Sequence, residues 1–384
     1  MLKVAQKVKL KTLNWYQLSN ESEIDSPALL VYKDRVAANI QKMIDLAGGS
    51  DWLFVHVKTN KTPQIVAMML GAGISKFKCA TIAEAEMVCM AGGKFLIIAH
   101  QLVGPKIERL VQLRQKYPHV LMASLLDNAQ TAQEINAVFA AHKLVANVFL
   151  DVNNGMNRSG HPLNGHIFPF YQSLHTFSNL RCFGLHVYDG HVRDTEFDKR
   201  KTKLDTDFED VTQLLTHIKS AGLPNPIVVA GGTPAFTAHL ARVGAVNNLC
   251  FSPGTCVLWD WGYGDALVEQ PFEYAALVLT RVISKPADGI VSIDMGHKAI
   301  AAENPLDKRI RFLNLTNYEL IGQSEEHGVL RVENWDSIQV GDVLYGVPYH
   351  VCPTVNLYEE MQVVEHNKVA QTWQVLARRR RITV

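Results

Sequence analysis

From Trp52 onward, short β-branched or apolar runs alternate with longer stretches of helical period, and this rhythm restricts the possible folds more than any other feature. Strands are predicted near Trp52–His56, Lys76–Cys79, Phe95–Ala99, Val120–Ser124, Asn147–Asp151, Cys182–Val187, Ile227–Ala230 and Leu249–Ser252. Eight strand–helix units in succession close more naturally into a (β/α)8 TIM barrel than into an open doubly wound sheet. Helix signals fall between them. Thr81 stands three residues before Glu84 as a capping box, Thr62-Pro63 starts a helix, and Gly71-Ala72-Gly73 stops it.

After Gly262 the rhythm changes to short β-prone segments near Ala275–Ile283, Gly289–Asp294, Arg309–Leu313, Gly328–Arg331 and Gly341–Tyr345, with no long amphipathic helix between them. The expected α/β architecture is therefore a barrel over residues 25–260 and a second, β-rich domain from residues 1–24 plus 261–384. The run Pro27–Tyr32 also reads as a strand, one able to join the second domain from the other end of the chain. A length of 384 residues suits a barrel of about 250 residues with a smaller partner.

The charge balance excludes several function classes. A formal net charge of +1 argues against an extended nucleic-acid footprint, and the one basic run, Arg378–Arg381, reads as a solvated or interface edge. No run approaches the roughly 20 apolar residues of a membrane span. The stretch Met1–Asn20 lacks the apolar core and cleavage site of a secretory signal. Six cysteines without a C-x-x-C pair suggest reduced thiols and a cytoplasmic location.

In a barrel of this kind the chemistry sits at the carboxyl ends of the strands. Strand one ends in His56-Val57-Lys58-Thr59-Asn60-Lys61, which puts Lys58 directly behind a buried run. Strand five ends in Asp151-Val152-Asn153-Asn154-Gly155-Met156-Asn157-Arg158-Ser159-Gly160, and strand six in Tyr188-Asp189-Gly190-His191. Strands seven and eight end in Gly231-Gly232-Thr233-Pro234 and Ser252-Pro253-Gly254-Thr255, small residues whose amides and hydroxyls can close on an oxyanion. Each has a plain structural reading as well: a snorkelling lysine, a polar turn, a packed tyrosine, turn glycines. Their joint placement favours an anion cup opposite a lysine, the geometry that a phosphorylated aldehyde held as a Schiff base requires.

The loop Asn154–Gly160 resembles that of alanine racemase, a pyridoxal-phosphate barrel of fold type III. More closely, His56–Lys61 together with Pro348-Tyr349-His350-Val351-Cys352-Pro353-Thr354-Val355-Asn356 resembles the D-threonine aldolase and D-serine dehydratase group, over essentially Pro27 to Asn356. The resemblance implies pyridoxal 5'-phosphate on Lys58, Arg158 near its phenolic oxygen, Tyr188 near its pyridine nitrogen, and Gly232, Thr233, Gly254 and Thr255 around its phosphate. It also implies a divalent metal on His350 and Cys352, where the soft thiolate points to zinc, and a homodimer in which Asp294–Lys298 is an interface turn. A buried pair in a β-domain is the plain alternative for His350 and Cys352. The chain departs from the group at Asn60, where a second histidine is usual, and at Phe54-Val55, where Arg-Pro is usual.

The expected activity is a metal-assisted lyase on a β-hydroxy D-amino acid. His191 would take the hydroxyl proton in aldol cleavage, and the freed Lys58 amine the α-proton in dehydration. An amino-acid racemase and a non-catalytic carrier of pyridoxal phosphate are the competing readings.

Overall fold

Parallel pairing runs without interruption through eight strands: Phe54–His56, Lys76–Cys79, Phe95–Gln101, Leu121–Leu126, Ala146–Asn153, Leu180–Val187, Ile227–Ala230 and Leu249–Phe251. A bridge between Leu53 and Phe251 closes the ring, so the predicted barrel forms, with each strand within a few residues of its expected place. A two-residue strand, His161–Pro162, adds itself beside the fifth. The computed structural model describes residues 13–384; the earlier part of the stretch assigned to the second domain lies outside the described residues.

The barrel interior is filled in layers by the alternation of side chains along each strand. Phe54, Phe95, Phe149 and Phe183 meet mostly edge to face, with centroids 5.0 Å apart for Phe54–Phe95 and 5.9 Å for Phe95–Phe183. Toward the carboxyl ends the inward positions become polar, with Lys78, Asp151 and His186 all buried. This polar layer is the floor of the barrel mouth.

The helix signals hold with two differences. Thr81 caps helix Ile82–Met90 by accepting from Glu84 N, 3.1 Å. Glu84 reaches back one residue further than a standard capping box, to Ala80 N (2.6 Å), because its other oxygen takes Lys61 Nζ at 2.6 Å in a buried pair. Helix Pro63–Gly71 begins where expected, yet the Thr62 hydroxyl donates to Asn60 O (2.7 Å) and does not cap it.

The second domain is a mixed sheet. Strand Ala28–Tyr32 pairs antiparallel with Ala276–Ala287 and parallel with Glu360–Glu365. The strand read at Pro27–Tyr32 thus joins the sheet of the second domain from the other end of the chain. All five residues of Ala28–Tyr32 are buried, so the strand needs neighbours on both edges and cover on both faces, which the mixed sheet supplies. Strands Tyr318–Gln323, Glu360–Glu365 and Lys368–Gln374 were not expected from the sequence; the last is largely exposed and carries little apolar signal.

Where the sixth and seventh barrel strands pair, a Cβ on Gly184 would stand 1.9 Å from Ile227 O. Gly184→Ala is expected to force these backbones apart and cost roughly 3 kcal/mol. Thr81→Ala, which loses only a cap, should cost about 1 kcal/mol. Urea midpoints of the two variants should differ in that order.

Candidate functional site

Lys58 sits in the turn after the first barrel strand, exposed at the mouth while Val57, Thr59 and Asn60 on either side are buried. The turn is fastened to the barrel by Val57 N donating to Lys78 O (2.9 Å) and by His56 N donating to Pro253 O (2.8 Å). The second bond runs to the strand-eight loop and sets that loop beside the lysine.

The loops after strands seven and eight converge as expected. Gly254 N and Thr255 N both donate to Thr233 Oγ1 at 3.1 Å. A Cβ on Gly254 would lie 2.7 Å from His56 O, and one on Gly232 would lie 3.0 Å from the Tyr188 ring, so the close approach of neighbours requires glycine at both places. Ser252 Oγ and Asn60 Nδ2, at the ends of strands eight and one, are buried and find no hydrogen-bond partner among the described residues. Orphaned polar atoms beside a glycine-threonine cup suit a ligand that accepts and donates hydrogen bonds, so these residues fit a phosphorylated cofactor.

Arg158 and Tyr188 meet, the guanidinium carbon 4.8 Å from the ring centroid. Two carboxylates pin the loop that carries Arg158. Asp151 Oδ2 accepts from Ser159 Oγ (2.9 Å) and Gln101 Nε2 (2.7 Å), and Asp127 Oδ2 accepts from Gly160 N (3.0 Å). The other oxygen of Asp151 holds His186 Nδ1 at 2.7 Å. Burial pushes the Asp151 carboxyl up, but its bonds from His186, Ser159 and Gln101 outweigh this and leave it below its ordinary value. Burial drives His186 and His56 below theirs, His56 further because Lys78 and Lys58 stand near.

His191 is held by Asp207, with Nε2 to Oδ2 at 2.9 Å, and its ring lies where a Cβ of Gly155 would fall, 2.7 Å from Nε2. It therefore joins the strand-five loop; its hydrogen bond goes to a helix, Phe197–Ser220, and to none of the other expected site residues.

The second domain delivers His350 and Cys352 at the start of helix Val351–Leu357. Cys352 Sγ lies 3.1 Å from Thr59 Oγ1 and 3.6 Å from Thr255 Oγ1, between the residue following Lys58 and the cup. Burial pushes the Cys352 thiol up, yet the hydrogen bond from His350 and the charge of Lys58 win and lower it. Burial lowers His350, but Cys352, Asp260 and Glu303 raise it to about 9. Each thus favours the charged form of the other. Glu303 Oε1 takes His350 Nδ1 at 2.5 Å, which leaves Nε2 for the thiolate or a metal. Among the described residues no group of three or more histidine, cysteine or acidic side chains is gathered for a metal, so a bound ion would draw its remaining ligands from water or substrate.

Two residues of the floor escape the sequence reading, Lys78 and His186, while Asp151 stands in it only as the start of the strand-five loop. Lys78 and His186 face inward by the register of their strands, Lys78 opposite His56 and His186 opposite Asp151, which only the pairing fixes.

A parallel barrel closed by a second β-domain, with a lysine at the first strand end and an anion cup opposite, is the architecture of alanine racemase-like proteins. The family described as "Alanine racemase, N-terminal domain" matches residues 31–255, and that described as "Putative serine dehydratase domain" matches residues 275–364. The chain belongs to the first family by a match over more than half its length, and its second domain is similar to the serine dehydratase domain. It is 28% identical to a 3-hydroxy-D-aspartate aldolase of Paracoccus denitrificans, covering 94% of this chain and 93% of the relative. It is 24% identical to a D-threo-3-hydroxyaspartate dehydratase of a Delftia species, covering 92% and 97%. The solved D-threonine aldolase of Filomicrobium marinum superposes with a TM-score of 0.83 at 26% identity, over 93% of this chain and 97% of that one. The expected resemblance therefore holds.

Because His56 and His186 are buried and resist protonation, the unfolded chain binds more protons than the folded one once pH falls below the ordinary histidine value of about 6.5. Stability is expected to be full above that value and to fall between about pH 6.5 and 5. Thermal midpoints followed over this range should show a shallower fall for His186→Gln than for the parent.

Proposed function

We propose that this protein is a pyridoxal-phosphate-dependent lyase acting on β-hydroxy D-amino acids with the help of a divalent metal. The observation that carries the reading is the position of Cys352, 3.1 Å from Thr59 and 3.6 Å from Thr255. A soft thiolate paired with an imidazole, set between the lysine turn and the anion cup, is where a substrate's β-hydroxyl would need a Lewis acid. The relatives named as aldolases and a dehydratase of hydroxylated D-amino acids support the same substrate class.

When bound, pyridoxal phosphate supplies an electron sink for the bond broken at the substrate's α-carbon. Lys58 holds it covalently through Nζ. Gly232, Thr233, Gly254 and Thr255 would hold its phosphate, and Arg158 and Tyr188 would hold its ring. His350 and Cys352 hold the metal, for which the thiolate favours zinc, and Glu303 keeps the imidazole turned toward it. His191, oriented by Asp207, takes the hydroxyl proton in aldol cleavage; the Lys58 amine takes the α-proton in dehydration. A racemase has no use for the His350–Cys352 pair, and neither has a carrier that only stores the cofactor.

The reading extends to a cytoplasmic homodimer. The six cysteines are free, and no helix among the described residues is long and apolar enough to cross a membrane. In the turn Asp294–Lys298 only His297 and Lys298 are exposed, since Asp294 is engaged by Thr280 (2.5 Å) and Arg281 N (2.9 Å). The dimer contact of this turn would therefore be made by those two residues, and sedimentation of the wild type against His297→Glu tests it.

Borohydride reduction of the cofactor-loaded protein, followed by peptide mapping, should place the label on Lys58; a label elsewhere rejects the assignment. Incubation with zinc and either D-threonine or D-serine should give glycine plus acetaldehyde, or keto acid plus ammonia. If none of these products forms from either substrate or from D-3-hydroxyaspartate, the lyase reading fails. Cys352→Ser and His350→Ala should each lower turnover by about 10- to 100-fold, with excess metal restoring part of it.

A further inference from the structure

The mechanism above gives Lys78 no task, although it is one of the largest fully enclosed side chains of the protein, 2% exposed on the inward register of the second barrel strand. Among the described residues no carboxylate lies within ion-pair distance of its Nζ. The nearest polar partner is His186 Nε2 at 3.5 Å, and the amine stands 5.4 Å over the Tyr188 ring. The groups facing it come from every neighbouring element: His56 and Lys58 on the first strand and its turn, Asp151 and Arg158 on the fifth, His186 and Asp189 on the sixth. Asp151 is engaged by His186, Ser159 and Gln101, whereas Asp189 gives only Oδ2 to His239 Nε2 (2.5 Å); its Oδ1 is buried with no partner among the described residues and acts on Lys78 from beyond ion-pair distance. Asp189 and Asp151 favour a charge on Lys78 from a distance, but neither pairs with it, and burial with Lys58 and Arg158 outweighs them. Burial first, then repulsion by Lys58, lowers its amine to about 7.

We propose that Lys78 is a positioning residue coupled to Lys58 through a proton: seating of pyridoxal phosphate on Lys58 draws a proton onto Lys78, and departure of the cofactor releases it. The proposal rests on the assignment of the cofactor to Lys58. In the seating step the Lys58 nitrogen forms a double bond to the aldehyde carbon, and the aldehyde oxygen leaves as water. The phosphate and phenolate bring negative charge to a mouth where Lys58 and Arg158 otherwise repel a proton on Lys78. Lys78 then takes that proton from solvent, and its ammonium lies beneath an anionic ligand. Linkage makes the effect reciprocal, so a charged Lys78 tightens the hold on the cofactor and an empty site discharges Lys78. The empty protein is thereby spared an unpaired buried cation.

Calorimetric titration of cofactor-free protein with pyridoxal phosphate, repeated in buffers of different ionisation heat, counts the protons taken up. The wild type should take up at least about half a proton more than Lys78→Met near pH 8, where the free amine is mostly uncharged. The difference should vanish near pH 5.5, where Lys78 is charged with or without cofactor. Ionisations of the cofactor itself cancel between the two proteins. Lys78→Gln serves as a second variant should the methionine protein fold poorly, and both should retain the borohydride label on Lys58. Equal proton uptake near pH 8 in wild type and variant, with that label intact, overturns the role of Lys78 and leaves the function reading standing. Absence of the label from Lys58 in the wild type overturns both.

Discussion

Everything at the mouth depends on closure of the barrel between its first and last strands. A single hydrogen bond, His56 N to Pro253 O at 2.8 Å, joins the lysine turn to the loop after strand eight, and the missing side chain of Gly254 lets the two backbones meet. Lys58 and the cup come from positions almost 200 residues apart, and this contact is what makes them neighbours. A side chain at Gly254 would push the loop from His56 O and open the ring on the side where the chemistry is placed. Thr233 completes the arrangement from the seventh strand, since its hydroxyl gathers the amides of Gly254 and Thr255 onto one point.

The floor under this mouth works against stability. Below it the barrel is packed with phenylalanine rings; at the top layer the same inward positions hold Lys78, Asp151 and His186. A buried amine without a paired carboxylate and a buried histidine that resists protonation are worse for folding than aliphatic side chains of similar size. The compensation is local: Asp151 satisfies His186, and the same carboxylate pins the loop that bears Arg158. One group thus settles a buried histidine and positions an exposed arginine, so the two roles cannot be separated by a single substitution.

What could be read from the sequence follows the same physics. The eight barrel strands were legible because parallel strands buried on both faces appear as continuous apolar runs. The glycine-threonine loops were legible because strand order fixes which loops face each other across a barrel. Strands such as Lys368–Gln374 were not, since an exposed strand earns its place by hydrogen bonds that leave no apolar pattern. Lys78 was missed for a different reason. A lysine in a short strand reads as a surface residue unless the inward register is already known, and register came only from the pairing of His56 with Lys78. The partners Glu303 and Asp207, each remote in sequence from the histidine it holds, carry no local signal at all.

The two domains meet through one more buried carboxylate. Asp260 accepts from Tyr263 N at 3.0 Å, capping helix Trp261–Ala266, and from Val351 N at 3.0 Å, the first residue of the helix that carries Cys352. Burial raises its carboxyl to about 6, and the two amides oppose that rise. The segment leaving the barrel and the segment returning to it are therefore tied to one side chain. At the other end of the returning helix, Arg378 donates to Asn356 O at 3.1 Å and pairs with Glu359, so the basic run near the carboxyl end begins as a helix stop. Held at both ends, the helix has little freedom to move Cys352 away from Thr59 and Thr255. The His350–Cys352 pair is thereby positioned by the same rigid frame that sets the lysine opposite the cup, although it belongs to a different domain.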